Sequence, residues 1–500
     1  MNGVAHSSPD ADLIVIGAGP AGMSAAVTVA RAGFKVIVLD MQPTPGGQIF
    51  RSLETNVQAK PETDELLRAL GPAYLQGKEL IERFRATSGI DFRPLTTVWE
   101  LRADGTVGWL NGERAGYLRG ARILVANGAM ERPLPFPGWT LPGVMTAGAV
   151  QTLLKAGRLR PKGQIVLAGT GPLIFLLADQ LRQLGVRPQL IARTDTFRQK
   201  LRAIFRLRFS AIPAIVKGMI WIAKLRLAGV QMCTGATGLV AAGHDCLESV
   251  SVTISGKRHQ LPCDLLIVHD GIVPSTDLAH SAGLAMEWQA CDSSWRPKTS
   301  HDGQAEQASK ASLTEGPCLI RISGDARRIG GADAAIAHGK LAGHAIVNEL
   351  DGQQGQRHSE HEREVLSALA ARPFIDAAFP RGISAELPSD DTIVCRCEEI
   401  TAGQLRQTIR NGSTDMNHLR GVLRCGMGPC QGRSCTVTLA RLMQEAGVQP
   451  PSSASQFRER PPVRPLPLGA LATMTGLDPA LATLISLDDK PAVASEAEDA

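Results

Sequence analysis

Residues 12–40 read DLIVIGAGPAGMSAAVTVARAGFKVIVLD. The apolar run at 13–16 predicts a buried strand. A glycine turn follows, then an Ala-rich helix, then a second strand ending at Asp40. Together they form one βαβ unit whose turn, Gly17-Ala18-Gly19-Pro20-Ala21-Gly22, is a complete G-x-G-x-x-G. Gly17 permits the tight turn, Gly19 lets the backbone approach a pyrophosphate, and Gly22 allows close helix–strand contact. Free N–H groups and the helix dipole, behind Pro20 and Ala21, favour an anion there. Asp40 closes the second strand, where an acidic side chain hydrogen-bonds a ribose hydroxyl.

The segments that follow indicate FAD rather than NAD. PTPGGQI (43–49) brings Gly47 and Gln48 just after Asp40, as in flavoproteins with two dinucleotide domains. RILVANGAMERPLPFPG (122–138) resembles the strand and turn that return under a flavin, with Ala126 and Gly128. ISGDARRIGGADAAIAHG (322–339) resembles the late flavin motif: Gly324 and Asp325 reach the ribityl chain, and Gly331 and Ala332 begin a helix aimed at the pyrophosphate or the pyrimidine edge. Val98 completes the expected flavin set. Asp325 also serves as an N-cap.

A second βαβ pattern occupies 164–193, QIVLAGTGPLIFLLADQLRQLGVRPQLIAR. Gly169 and Gly171 are present, but Ile174 replaces the third glycine, so the helix must stand further from the strand. Arg193 stands where an acid would close the second strand, and Arg193 with Arg198 suits a phosphate. The site is expected to take NAD(P), another adenine nucleotide, or nothing.

The expected organisation is a disordered N-terminus (1–11), an FAD-binding first part (12–150), a second nucleotide-binding domain (151–290) and an FAD-binding return segment (291–350). A polar connector (351–390) leads to a cysteine-rich module (391–448) and a Pro/Ala-rich, partly disordered tail (449–500).

The bulk properties narrow the function classes. A net charge of +5 is too weak to argue for nucleic acid, and aromatics at 4% leave little for base stacking. The start lacks a basic region followed by an apolar one, and no apolar run reaches the ~20 residues that span a bilayer. A cytoplasmic protein in a reducing compartment is expected, where clustered cysteines hold metal or do redox chemistry. Residues 198–226 carry eight basic side chains and no acidic one, with apolar residues between them. That pattern suits membrane-surface or partner contact. A solvated helix face is preferred, because Pro213 and Gly218 interrupt any long amphipathic helix.

Five of the ten cysteines fall between Cys395 and Cys435, in VCRCEEIT (394–401) and RCGMGPCQGRSC (424–435). Four thiolates hold [2Fe–2S] or zinc, and C-x-C pairs sit less naturally in zinc ribbons. Cys435 precedes a helical stretch, where the N-terminus favours a thiolate. The expected ligands are Cys395, Cys397, Cys430 and Cys435, with Cys425 surplus.

Residues 392–440 resemble the bacterioferritin-associated-ferredoxin type of [2Fe–2S] domain, although that family usually closes with C-x2-C and this chain has C-x4-C. The chain up to about 470 resembles the α (A) subunits of bacterial opine oxidases and related subunits of D-hydroxyproline dehydrogenases, proline dehydrogenase complexes and hydrogen cyanide synthase. GAMERPLPFPGWTLPGVMTAGAVQ (128–151), CRCEEIT, GMGPCQGRSC and RPPVRPLPLGALA (460–472) carry the likeness. The expected fold is therefore α/β: two nested Rossmann-like domains plus a small C-terminal [2Fe–2S] domain. The resemblance implies two partners: an FAD-containing β subunit of D-amino-acid-oxidase type that oxidises an amine, and a small [2Fe–2S] γ subunit. This chain would relay electrons through FAD and [2Fe–2S]. The alternatives are a self-contained NAD(P)H-dependent reductase and a non-catalytic electron-transfer scaffold. No C-x-x-C is present, which disfavours disulfide reduction. His269 is expected to be a satisfied loop or core histidine rather than a flavin neighbour.

Overall fold

The computed structural model describes residues 8–58, 64–208, 211–308, 318–353, 359–382, 386–448, 456–457, 459–472 and 474. Most of the expected N-terminal disorder (1–7) and the acidic end of the tail lie outside these residues.

In the opening strand, Ala11–Ile16, residues 13–16 are buried on both faces, as their apolar run requires of a central parallel strand. It pairs in parallel with Val36–Leu39 on one side and with the end of the long strand Arg114–Val125 on the other. Ile90–Arg93 and Leu319–Ile322 extend the parallel sheet outward on the two sides. The first half of Arg114–Val125 pairs instead with the antiparallel meander Thr97–Leu101 and Thr106–Asn111. One strand thus serves two layers, and Val98 on the meander faces the same cavity as the glycine turn.

Two helices cover the glycine turn. Pro20–Arg31 begins within it, with Pro20 in the first turn where no N–H partner is lost. Ala332–Leu350 packs closely along it. The approach depends on glycines: a Cβ on Gly339 would stand 2.2 Å from the Ala21 carbonyl oxygen. Both helix N-termini border one cavity.

A second parallel sheet has the order Gln231–Cys233, Leu190–Arg193, Ile165–Gly169, Leu265–His269, Val144–Thr146. Its last strand precedes residue 151, so the second sheet draws on chain assigned by the sequence to the first domain. Ile174, in place of a third glycine, is buried in the core that joins the two domains. The connector is more regular than its composition implies. It forms helices Ser359–Ala368 and Arg372–Ala378, and Phe379 packs against Phe175 at 6.4 Å.

The C-terminal module folds around its own core of Leu405, Leu419, Leu439 and Phe457. Thr401 and Gln404 close a capping box on helix Ala402–Arg410. The tail then returns to the flavin side. Phe457 is fully buried in the module, Glu459 pairs with His280, and the Val463 N–H donates to the Trp99 carbonyl (2.8 Å). Arg464 pairs with Asp277, and helix Leu468–Ala472 packs against the meander through Trp99 and Ala115. Within the Pro/Ala-rich tail, residues 459–472 are therefore a strap that ties the cysteine module to the first domain.

Candidate functional site

A cavity of ≈ 1410 Å³ lies between the two domains. Gly17, Gly19, Pro20, Ala21, Asp40, Gly47, Gln48, Val98, Ala126, Gly128, Gly324, Asp325 and Gly331 line it, and Gly22 and Ala332 stand just behind. Each glycine has a different geometric reason. Gly17 has φ +104°, and a Cβ there would lie 2.5 Å from the Ala126 carbonyl oxygen. A Cβ on Gly22 would lie 1.9 Å from the Gly17 carbonyl oxygen. Gly19 is extended (φ −75°), and a Cβ on it would meet only Gly47 Cα, at 3.8 Å. No protein atom explains Gly19, which is what close approach by a bound phosphate requires.

Asp40 accepts from the Ala18 N–H (2.6 Å) and the Gln42 N–H (2.7 Å), so it fixes the turn as well as facing the cavity. Burial raises its pKa, opposed by those two N–H groups and by Arg51. Asp325 accepts from the N–H groups of Gly330 (2.8 Å) and Gly331 (3.2 Å), which sets the loop before helix Ala332–Leu350.

Buried polar atoms without protein partners line the same cavity: Asn127 Oδ1 and Nδ2 and Ser323 Oγ from the first domain, and Thr170 Oγ1 from the second. Such atoms are costly unless something else satisfies them. With the glycine cradle, they fit a bound dinucleotide. Reasoning from sequence missed Asn127, although it lies inside the quoted stretch 122–138. It also missed Lys155, whose Nζ donates to the Gln48 (3.2 Å) and Ile49 (3.1 Å) carbonyls and so pins the flavin loop from the second domain. Burial pulls Lys155 down to about 8.

The second glycine loop differs from expectation. Arg193 is buried, forks onto Asp195 and lies over Phe175 (5.1 Å), so its charge is already matched and it does not reach the cavity. Arg198 sits on an exposed helix, Phe197–Ala203, away from the cavity wall. Both were placed at a phosphate by position in the chain alone. The cations that do line this end are Arg206, Lys217 and Lys224. Gly171 looks onto His269, where a Cβ would meet the imidazole at 3.4 Å. His269 is buried, as expected of a satisfied histidine, yet it lines the cavity. Its Nδ1 is 2.6 Å from Glu131 Oε1, while Glu131 Oε2 accepts from the Gly148 N–H (2.7 Å). The connector closes the cavity with Arg372, Asp376, Phe379 and Arg381, which sequence composition did not suggest.

All five clustered thiols converge. Cys395, Cys425 and Cys435 place their Sγ atoms within 4.8 Å of one another, all buried. Cys397 hydrogen-bonds Cys430 beside them. Cys425, set aside on spacing, is thus inside the group. The loop 424–432 doubles back through left-handed residues Arg424, Gly426, Gln431 and Gly432, so separation along the chain does not measure separation in space. The thiols of Cys425 and Cys435 hydrogen-bond Cys395 and hold it well below its ordinary pKa, while their own pKa values are pushed up. This set of soft, charge-sharing donors fits a [2Fe–2S] cluster. Cys435 is the N-cap of helix Thr436–Glu445. Cys425 instead follows the C-terminus of helix Met416–Leu423.

The two sites adjoin. Arg433 feels the charges of Cys430 and Cys397 on one side and of Arg464 and Asp277 on the other. Arg464 itself lines the cavity. The module also leans on the motif-rich loop of the first domain, where Trp139 Nε1 donates to the Ile393 carbonyl (2.7 Å).

Residues 11–302 match the pyridine nucleotide-disulphide oxidoreductase family, and 393–445 match the BFD-like [2Fe-2S] binding domain. The chain is 37% identical to the A subunit of opine oxidase from Agrobacterium tumefaciens (strain Ach5), over 94% of each chain. It is 30% identical to the HcnB subunit of hydrogen cyanide synthase from Pseudomonas protegens, covering 91% of this chain and 96% of that one. Among solved structures, L-proline dehydrogenase from P. horikoshii superposes with a TM-score of 0.63 at 17% identity, covering 92% of this chain and 79% of that one, a likeness of fold.

Proposed function

The chain belongs to the family of opine oxidase A subunits, and we propose that it is the electron-relaying member of a multi-subunit amino-acid dehydrogenase. It is an oxidoreductase whose cofactors are FAD and [2Fe–2S]. When bound, FAD takes electrons in pairs and the cluster passes them singly.

The observation that carries this reading is the adjacency of thiols and flavin cavity through Arg433, Asp277 and Arg464. Arg433 balances negative charge at the Cys397–Cys430 edge, and the strap fixes the module against the cavity wall. Gly17, Gly19, Gly47 and the helix N-termini hold the pyrophosphate, Asp40 the ribose, and Asn127 and Asp325 the remaining polar edge. Cys395, Cys397, Cys430 and Cys435 hold the cluster. Each iron of such a cluster takes two cysteines, so three mutually close thiols cannot all serve one iron. Cys425 is the one left over, because a helix C-terminus disfavours a thiolate while the N-cap position of Cys435 favours it.

The amine or imino acid is oxidised on a partner FAD-containing β subunit of D-amino-acid-oxidase type, and a small [2Fe–2S] γ subunit is a further partner. The chain works in the cytoplasm, where a reducing medium preserves exposed thiols such as Cys246 and Cys291. Rapid mixing under anaerobic conditions tests the assignment. Flavin bleaching is expected with partner plus amino-acid substrate, and not with NADH or NADPH alone. Fast bleaching of the isolated chain by a nicotinamide nucleotide would contradict it and favour the self-contained reductase.

A further inference from the structure

One surface of the second domain departs from the rest of the molecule. Between the strands Leu190–Arg193 and Gln231–Cys233 the chain forms helix Phe197–Ala203, a short 3-10 turn Ile204–Arg206 and helix Ile212–Leu227. Ten of the eighteen exposed large apolar side chains among the described residues fall in this stretch. Phe205 is 91% exposed, Leu227 89%, Phe197 74% and Met219 60%.

The exposed side chains are ordered by helical spacing. On the longer helix, Ile212, Val216, Met219, Ile220, Ala223 and Leu227 recur at steps of three and four, which places them in one stripe. Trp221, Ile222 and Leu225 occupy the opposite side and pack into the core. On the shorter segment Phe197, Leu201, Ile204 and Phe205 repeat the pattern. Pro213 lies in the first turn of its helix, where it is tolerated, and Gly218 is helical. The interruption expected from these two residues does not occur.

Only cations flank the stripes. Residues 198–226 contain eight Lys and Arg and no acid. Lys200 is matched by Asp195 at 2.8 Å, and Lys217 lies over Trp221 at 5.4 Å. Arg202 and Arg208 are exposed beside the first stripe and Arg226 beside the second. Among the described residues no helix is long and apolar enough to cross a membrane.

We propose that this face lies on an anionic membrane surface, with its apolar stripes sunk into the headgroup–acyl boundary and its cations on the lipid phosphates. An exposed apolar row edged by cations of a single sign is what a helix lying in such an interface requires. Arg206, Lys217 and Lys224 also line the cavity, so membrane contact would bring its second-domain end to the lipid surface.

Flotation of the full flavin-loaded chain with vesicles tests this. Vesicles of phosphatidylglycerol with phosphatidylcholine are expected to carry the protein upward, and pure phosphatidylcholine vesicles to carry little. Raising salt from about 0.1 M to about 0.5 M is expected to release it. The double variant Phe205→Ser/Leu227→Ser and the triple variant Arg202→Glu/Arg208→Glu/Arg226→Glu are each expected to lose more than about tenfold in vesicle affinity. Both keep the wild-type visible flavin spectrum, which certifies the fold. Failure to float with anionic vesicles, or flotation unaffected by these variants, overturns the proposal. So does a result in which vesicles are ignored but a partner protein binds wild type and not the double variant, which assigns the face to a protein. None of these outcomes bears on the electron-relay reading.

Discussion

Gly19 and Gly22 lie three residues apart in one turn, yet the structure assigns them different work, and alanine at each separates the two. At Gly22 the new methyl would stand 1.9 Å from the Gly17 oxygen and 3.1 Å from Val15 Cγ1. Ordinary contact begins near 3.4 Å, so the helix start must retreat by about 1.5 Å against packed backbone. Overpacking of this kind costs ~1–3 kcal/mol, and the rigid neighbours put Gly22→Ala at the upper end. The retreat also withdraws the N–H groups that face the pyrophosphate. Losing one charge-assisted hydrogen bond of ~1.5–3 kcal/mol weakens FAD binding about 10- to 100-fold. At Gly19 the methyl meets nothing closer than 3.8 Å and the backbone is already extended, so the apoprotein accepts Ala without strain. The expected result is a Gly19→Ala apoprotein that melts within about 1 °C of wild type yet binds FAD at least tenfold more weakly. Gly22→Ala should lose both stability and flavin. Thermal unfolding of the apoproteins and fluorescence titration with FAD read the two effects separately. Unchanged FAD affinity in Gly19→Ala would refute the reasoning that this glycine exists for the ligand.

Further outcomes follow from the thiols, the strap and one buried lysine. Cys425→Ser should keep the iron content and electron paramagnetic resonance signal of wild type, whereas Cys430→Ser or Cys435→Ser should lose most of the iron. Iron loss in Cys425→Ser would move that thiol into the ligand set. Phe457→Ala empties a fully buried position that joins strap and module, and should destabilise the module by ~3–5 kcal/mol in denaturant melts followed by cluster absorbance. Lys155 titrates at about 8 when folded and near its ordinary 10.5 when unfolded. Between those values the unfolded chain binds more protons, so this group makes stability rise with pH across that window and contributes nothing to the slope below it. Over the whole window the rise amounts to about 3 kcal/mol. Urea unfolding free energies of wild type, taken relative to Lys155→Met, should rise by about 3 kcal/mol between about pH 7 and pH 11.

The flavin half of the site was legible because its chemistry is local. A strand, a glycine turn and a helix N-terminus are consecutive in the chain. Gly17 and Gly22 are glycine because backbone comes close, and Gly324 because its φ is left-handed (+67°), and such needs leave a sequence pattern. Asn127 and Lys155 were not legible, because what singles them out is burial with unmet or distant partners. Arg193 misled for the same reason. Its position suits a phosphate, but the carboxylate that matches it lies two residues on, and only the fold turns Asp195 toward it. The cysteines were readable as a metal site but not as a geometry, because left-handed residues at 424–432 fold the loop back on itself. The connector and the strap have ordinary polar or proline-rich composition. Their role comes from where Phe379, Phe457 and Arg464 land, which depends on long-range contacts that no window of sequence contains.

The most direct test asks whether flavin and cluster in this one chain exchange electrons. The purified, iron-reconstituted protein is reduced anaerobically with less than one equivalent of photochemically delivered electrons, and rapid-freeze electron paramagnetic resonance follows both centres. The account predicts that reduced-cluster signal grows as flavin reoxidises, within milliseconds and without a partner present, and that Arg464→Ala slows the transfer. A cluster whose signal ignores the state of the flavin, or a module that carries zinc in its place, would contradict it.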